Sequence, residues 1–210
     1  MNIARETVLG RIRDALALAP APAVVVPRDY CTGRALPDDE RLALFTDRLL
    51  DYKARVHPCT ADRTAEVVGD VLRKHGVRRI GVPAGLDARW LARYDGEVRQ
   101  DDADVPHTQL DALDAVVTAS AVGCAETGTI FLDGSPGQGR RALSLVPDLH
   151  LCVVDLSAVE VGVPEAVARL APERPTTLIS GPSATSDIEL ERVEGVHGPR
   201  TLAVVIRTDA

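Results

Sequence analysis

Aromatic side chains make up only 3% of this 210-residue chain, and the formal net charge is -7. A nucleic-acid reader needs a basic stripe and rings on which bases can stack, so that class is excluded. No Cys-x-x-Cys pair occurs: Cys31, Cys59, Cys124 and Cys152 are scattered. Zinc ribbons and ferredoxin clusters require close cysteine spacing. The four thiols therefore read as small buried residues in a reducing compartment, and no metal site is assigned. No apolar run approaches the roughly 18 residues that span a bilayer. The charged opening Met1-Asn2-Ile3-Ala4-Arg5-Glu6 is followed by no apolar segment of the signal-peptide kind. The expectation is a cytoplasmic protein without a transmembrane segment. A phosphate-loop Gly-Lys-Ser/Thr, a Gly-x-Gly-x-x-Gly fingerprint and a Gly-x-Ser-x-Gly elbow are all missing.

What is present is alternation of apolar segments. The composition is 45% apolar, enough for one α/β domain with a small N-terminal addition. Ile3, Val8, Leu9, Ile12 and Leu16 recur at helical spacing over residues 2–18, up to the Pro20 and Pro22 breaks. Residues 1–37 read as an arm and 38–210 as the domain. The arm either covers its own core or packs on a partner or a second copy in a homo-oligomer. Helices are expected over 38–53 and 62–75, with strands at 55–59 and 79–83. A short helix follows at 87–93, then an unassigned acidic stretch through Asp101, Asp102 and Asp104 that reads as a solvated loop. Further strands are expected at 115–118, 129–132, 149–154, 176–180 and 202–206, and a helix at 164–170. Helix and strand alternating over short links predict a mostly parallel sheet with helices on both faces.

Two glycine- and hydroxyl-rich segments adjoin these strands, and such loops hold small anions in α/β proteins. In residues 119–128, Gly123 and Gly128 permit close approach, Thr127 and Thr129 offer hydroxyls, and successive amides can form an anion nest. Glu126 is either a base or nucleophile, or a partner for Arg140 or Arg141. Arg140 and Arg141 follow the turn at Gly139, and their planar forks suit a carboxylate or phosphate; the alternative is a surface ion pair. In the second segment, Ser180, Gly181, Ser183, Thr185 and Asp187 either bind an anion or cap the next turn. His197 and Arg200 close the set. A histidine's ordinary range lies near neutral pH, so His197 either shuttles protons or makes a structural hydrogen bond.

Four motifs in order carry a family resemblance. They are Gly123-Cys124-Ala125-Glu126-Thr127-Gly128-Thr129, Arg140-Arg141-Ala142-Leu143-Ser144-Leu145-Val146-Pro147, the run from Ser180 to Glu189, and Glu194-Gly195-Val196-His197-Gly198-Pro199-Arg200. Over about residues 40–208 the chain resembles the LUD domain of the lactate-utilisation protein C family. The resemblance implies a fold similar to the sugar-phosphate isomerase, glucosamine-phosphate deaminase and coenzyme A transferase group. It also implies a role in bacterial oxidation of L-lactate to pyruvate, with iron–sulfur clusters carried by partner proteins. Without a ferredoxin-like segment, the chain resembles the short, cluster-free component. No catalytic residue carries over from the family. By chemistry the catalytic candidates are Glu126 and His197. The ligand candidates are Gly123, Thr127, Gly128, Thr129, Arg140, Arg141, Ser180, Gly181, Ser183, Thr185, Asp187 and Arg200, facing a small anionic metabolite. The alternatives are an enzyme acting on a phosphorylated or coenzyme A-linked metabolite, and a non-catalytic module that senses a metabolite.

Overall fold

The computed structural model describes residues 3–18, 25–185, 193–194 and 197–210. It divides into two units, Met1–Cys31 and Thr32–Ala210. The first contains helix α1 (Ile3–Leu18), which buries no residue. Ile3, Val8, Ile12 and Leu16 are all at least half exposed.

In the second unit, α2 (Asp38–Asp51) opens with Asp38, Asp39 and Glu40, acids that suit the positive end of the helix dipole. Next come β1 (Arg55–Cys59), α3 (Thr64–Lys74), β2 (Arg79–Val82) and β3 (Glu97–Gln100). The short helix α4 (His107–Asp111) leads to β4 (Ala115–Ala119), β5 (Val122–Cys124) and β6 (Thr129–Leu132). Then come α5 (Arg141–Leu145), β7 (Leu149–Asp155), β8 (Val159–Glu160) and α6 (Val163–Ala168). The chain finishes with β9 (Thr177–Ile179), β10 (Ala184–Thr185), β11 (Val193–Glu194) and β12 (Thr201–Arg207).

Six strands form one parallel sheet in the order β1-β12-β7-β4-β2-β3. Side chains alternate across a strand, so each face collects its own core. On one face Ala203 and Val205 of β12 meet Leu151 and Val153 of β7 under Val68, Val71 and Leu72 of α3. On the other, Leu202, Val204 and Ile206 meet Cys152 and Val154 under Phe45 and Leu49 of α2 and Ile130 and Leu132 of β6. Toward β4, Leu110 and Leu143 bring α4 and α5 onto Val116. The α/β architecture follows the expectation from sequence.

A second sheet, β8-β5-β6-β9, lies over the α2 face. It corrects one expectation: the middle of segment 119–128 is strand, not loop. Val122, Gly123 and Cys124 are buried and pair antiparallel with β6. Gly123 serves packing there, because an added Cβ would lie 2.9 Å from Val159 and 3.2 Å from the Phe45 ring. The unassigned acidic stretch also begins in a strand, β3, whose four residues are exposed at the sheet edge. Cys59, Cys124 and Cys152 are buried as expected, but Cys31 is exposed.

Phe45 is fully buried where the small sheet meets the large one. Phe45→Ala removes most of that contact and leaves a cavity under Gly123, so it is expected to cost about 3–5 kcal/mol. Urea unfolding followed by circular dichroism reads this as a lower midpoint at unchanged slope.

Candidate ligand-binding site

Strand β9 pairs antiparallel with β6, placing Ile179 opposite Ile130. That register sets Ser180 beside Thr129, with their hydroxyl oxygens 2.8 Å apart, and Thr127 extends the chain with a further 2.8 Å contact to Thr129. The two distant segments therefore meet in space. Gly181 turns the backbone at φ +85°, and a Cβ would fall 2.6 Å from the Tyr52 carbonyl oxygen, so only glycine fits without rearrangement. The Ser183 amide donates to the Pro199 carbonyl at 2.8 Å, and the His197 amide donates to Ser183 Oγ at 3.1 Å. These bonds stitch 181–183 to 197–199 as the wall of a pocket of about 260 Å³. Leu178 and Ile179 form another side, and His150 and Leu202 of the main sheet lie beneath.

His150 is 1% exposed. Its Nε2 lies 2.8 Å from Thr118 Oγ1, the one hydrogen bond the ring makes among the described residues. Burial alone pushes its pKa from 6.5 down to about 4, so the imidazole is neutral at physiological pH. Thr118 also reaches Cys152 Sγ at 3.7 Å. Burial pushes that thiol up to about 12, against a smaller opposing effect of the Thr118 hydrogen bond, so Cys152 is no nucleophile.

A second cleft, about 470 Å³, opens beyond the carboxyl ends of β2 and β3, the edge of a parallel sheet where ligands gather. Pro83, Ala84 and Asp101 line it together with Gly134, Ser135, Gln138, Arg140, Arg141 and Thr177. Arg140 is not free to receive an anion. Its Nε and Nη2 donate to the two carboxylate oxygens of Asp101 at 2.9 Å, and Nη2 also donates to the Val105 carbonyl at 2.6 Å. The Asp101 side chain is only 4% exposed. Arg141 is exposed on the same cleft and has no salt-bridge partner among the described residues. Ser144, one turn along α5 from Arg141, is buried and lines both cavities, as does Thr177.

The other predicted residues are dispersed. Glu126 pairs with Arg34 at 2.6 Å rather than with Arg140 or Arg141, both side chains are about half exposed, and it lines neither cavity. The amides of Ala125 and Glu126 donate to the Glu160 and Val161 carbonyls, so they are not available as an anion nest. Gly128, at φ +59°, packs against the Arg48 backbone. Arg200 pairs with Asp148 at 2.5 Å. Thr185 pairs with Val193 in β10–β11, and Asp187 lies outside the described residues. His197 and Ser183 both line the smaller pocket. Among the described residues no group of three or more His, Cys, Asp or Glu is placed to hold a metal ion, and no helix is long and apolar enough to cross a membrane.

Sequence reasoning reads His150 as structural and names neither it nor Ser144 as a cavity-lining residue. The available signal was the single ionisable residue inside Leu149-His150-Leu151-Cys152-Val153-Val154, an otherwise apolar strand. A polar group in such a run needs a partner from a neighbouring strand, here Thr118.

Known proteins resemble this chain in sequence and in fold. A family model described as LUD domain matches residues 42–206. A lactate utilization protein C of Deinococcus radiodurans is 48% identical over 172 residues, covering 80% of this chain and 79% of that protein. A lactate utilization protein C of Macrococcus caseolyticus is 27% identical over 87% of this chain and 84% of its own length. The crystal structure of a DUF162 family protein from D. radiodurans is similar at TM-score 0.70 and 39% identity, covering 82% of this chain and 99% of that one.

The buried imidazole sets a pH dependence. Above about pH 6.5 it is neutral folded or unfolded and contributes no slope; from there down to about pH 4 the unfolded chain takes up a proton that the folded chain refuses. Stability is therefore lost as pH falls through that window, by on the order of 3 kcal/mol from this group. Denaturant unfolding at pH 7 and pH 4 should show a smaller loss in His150→Gln than in the wild type. Equal losses would mean that the ring titrates in the fold as it does in water.

Proposed function

The chain belongs to the LUD domain family, and on that premise we propose that it is a component of a lactate-utilisation system that holds a small carboxylate at Arg141. The name of the relatives supplies the metabolic context. The observation that carries the reading is the contrast between two adjacent guanidinium groups. Arg140 is committed to Asp101, whereas Arg141 stands exposed on the larger cleft with no carboxylate of its own among the described residues. A planar fork of N–H donors matches a carboxylate, and lactate and pyruvate each carry one.

Removing electrons from lactate requires a redox centre. In this reading iron–sulfur partner proteins carry that centre, and this chain contributes the anion site and a docking surface. Glu126 belongs to the surface in this scheme, since its carboxylate is paired with Arg34. His197 and Ser183 bear on the neighbouring pocket rather than on the anion itself.

Deleting the gene is expected to abolish growth on L-lactate as sole carbon source. Arg141→Ala should fail to restore it, because losing a charge-assisted hydrogen bond weakens anion binding by about tenfold or more. Glu126→Gln should restore growth. Normal growth of the deletion strain, with no second copy present, would sink the lactate role; rescue by Arg141→Ala would remove the anion site from it.

A further inference from the structure

The two edges of the six-stranded sheet differ. At one edge, β1 is blunted by Pro58 and ends in the buried Cys59. At the other, β3 pairs only with β2 among the described residues, in parallel register from Arg79↔Glu97 to Val82↔Gln100. All four β3 residues are exposed, and none is proline. The amides of Glu97 and Asp101 donate to the carbonyls of Arg78 and Val82. Backbone groups alternate along a strand, so those of Val98 and Gln100 point away from the sheet. Such a row of outward donors and acceptors is a template for another strand.

Charged side chains commonly protect an edge, and β3 carries Glu97 and Arg99. These two are of opposite sign and share one face of the strand. Arg99 Nε donates to Glu97 Oε1 at 2.7 Å, and both side chains are about half exposed. Val98, 45% exposed, faces the other way.

That pattern fits a second copy of itself. In an antiparallel pair, directly opposed residues point their backbone groups either at each other or away from each other. The outward Val98 can therefore lie opposite Gly96, Val98 or Gln100 of another copy. Opposite Gly96, it brings Glu97 onto Glu97; opposite Gln100, it brings Arg99 onto Arg99. Like charges directly opposed are destabilising. With Val98 opposite Val98, Glu97 of each copy meets Arg99 of the other, at the non-hydrogen-bonded positions where side chains approach most closely. The two valines meet on the other face, and Gly96 and Gln100 close the ladder. Asp101, next in line, is already held by Arg140.

We propose that β3 is a self-association edge: two copies of this chain pair antiparallel about a two-fold axis at Val98 and join their sheets into one. The ladder is short, so the dimer is reversible rather than obligate. Each β3 leads into Asp101, which lines the larger cleft, so the pairing braces the strand that ends there. The inference is independent of the anion reading.

Sedimentation velocity of the full chain should show a concentration-dependent monomer–dimer equilibrium. Glu97→Arg and Arg99→Glu each set like charges against one another at both opposed positions, and each should raise the dissociation constant by about tenfold or more. Mixed in equal amounts, the two variants should regain the dimer as a heterodimer, because every opposed pair is again of opposite sign. Val98→Pro removes an outward amide that the monomer does not use, so it should abolish the dimer and leave the circular dichroism spectrum unchanged. A chain that stays monomeric into the millimolar range would overturn the proposal, as would a dimer that survives both charge reversals and Val98→Pro. So would a mixture that fails to re-form the dimer each reversal had abolished.

Discussion

The last strand of the chain lies in the interior of the sheet. β12 is inserted between β1 and β7, in register with β1 from Arg55↔Ala203 to Cys59↔Arg207 and with β7 from Thr201↔Leu149 to Arg207↔Asp155. Until Thr201–Arg207 is in place, β1 has no neighbour in the sheet and both hydrophobic faces are open. This long-range pairing must close loops of more than a hundred residues between β1 and β12, which makes the topology intrinsically slow to assemble. The reward is that everything between β7 and β12 is tethered at both ends to two neighbouring strands inside the sheet. That excursion contains β8, α6, β9 and both stitched walls of the smaller pocket.

The small sheet converts this tether into position. β6 presents Ile130 and Leu132 to the main sheet and Thr129 toward Ser180, so one strand does both packing and placement. The positive-φ turn at Gly181 fits against Tyr52, just past the end of α2, while Phe45 of the same helix sits under Gly123. Helix α2 thus couples the core to the pocket wall. A change that loosens Phe45 acts on the site through packing alone, without touching a polar residue there.

The periodic segments were legible in the sequence because burial on two faces leaves near-continuous apolar runs, such as Leu149–Val154 and Leu202–Ile206. Short strands were harder to see. Val122-Gly123-Cys124 reads as loop because glycine and hydroxyl residues flank it, and only pairing with β6 makes it strand. Val159–Glu160 is two residues long and is defined entirely by its neighbour β5. The site was half legible for a related reason. Hydroxyls, glycines and arginines mark chemistry by type, but partnership is tertiary. Nothing in Gly139-Arg140-Arg141 says that one guanidinium finds Asp101, 39 positions earlier, while its neighbour finds no carboxylate among the described residues. Glu126 shows the same limit, since its partner Arg34 precedes the first helix of the domain.

Charge in this molecule is sorted by whether the fold supplies a counter-ion. Asp101 is nearly enclosed and holds both oxygens against Arg140, an arrangement that costs desolvation and is repaid only by its paired, well-directed hydrogen bonds. Arg140 is therefore architecture: it ties the segment after β3 to the entrance of α5. That tie is what fixes the first turn of α5, and with it the position of Arg141 on the cleft and of Ser144 between the two cavities. His150 solves the opposite problem. With no carboxylate bonded to it among the described residues, the imidazole is kept neutral by burial and holds a hydrogen bond to Thr118. The two cavities are consequently lined by different chemistry, an exposed cation on the larger and a neutral, directional group on the smaller.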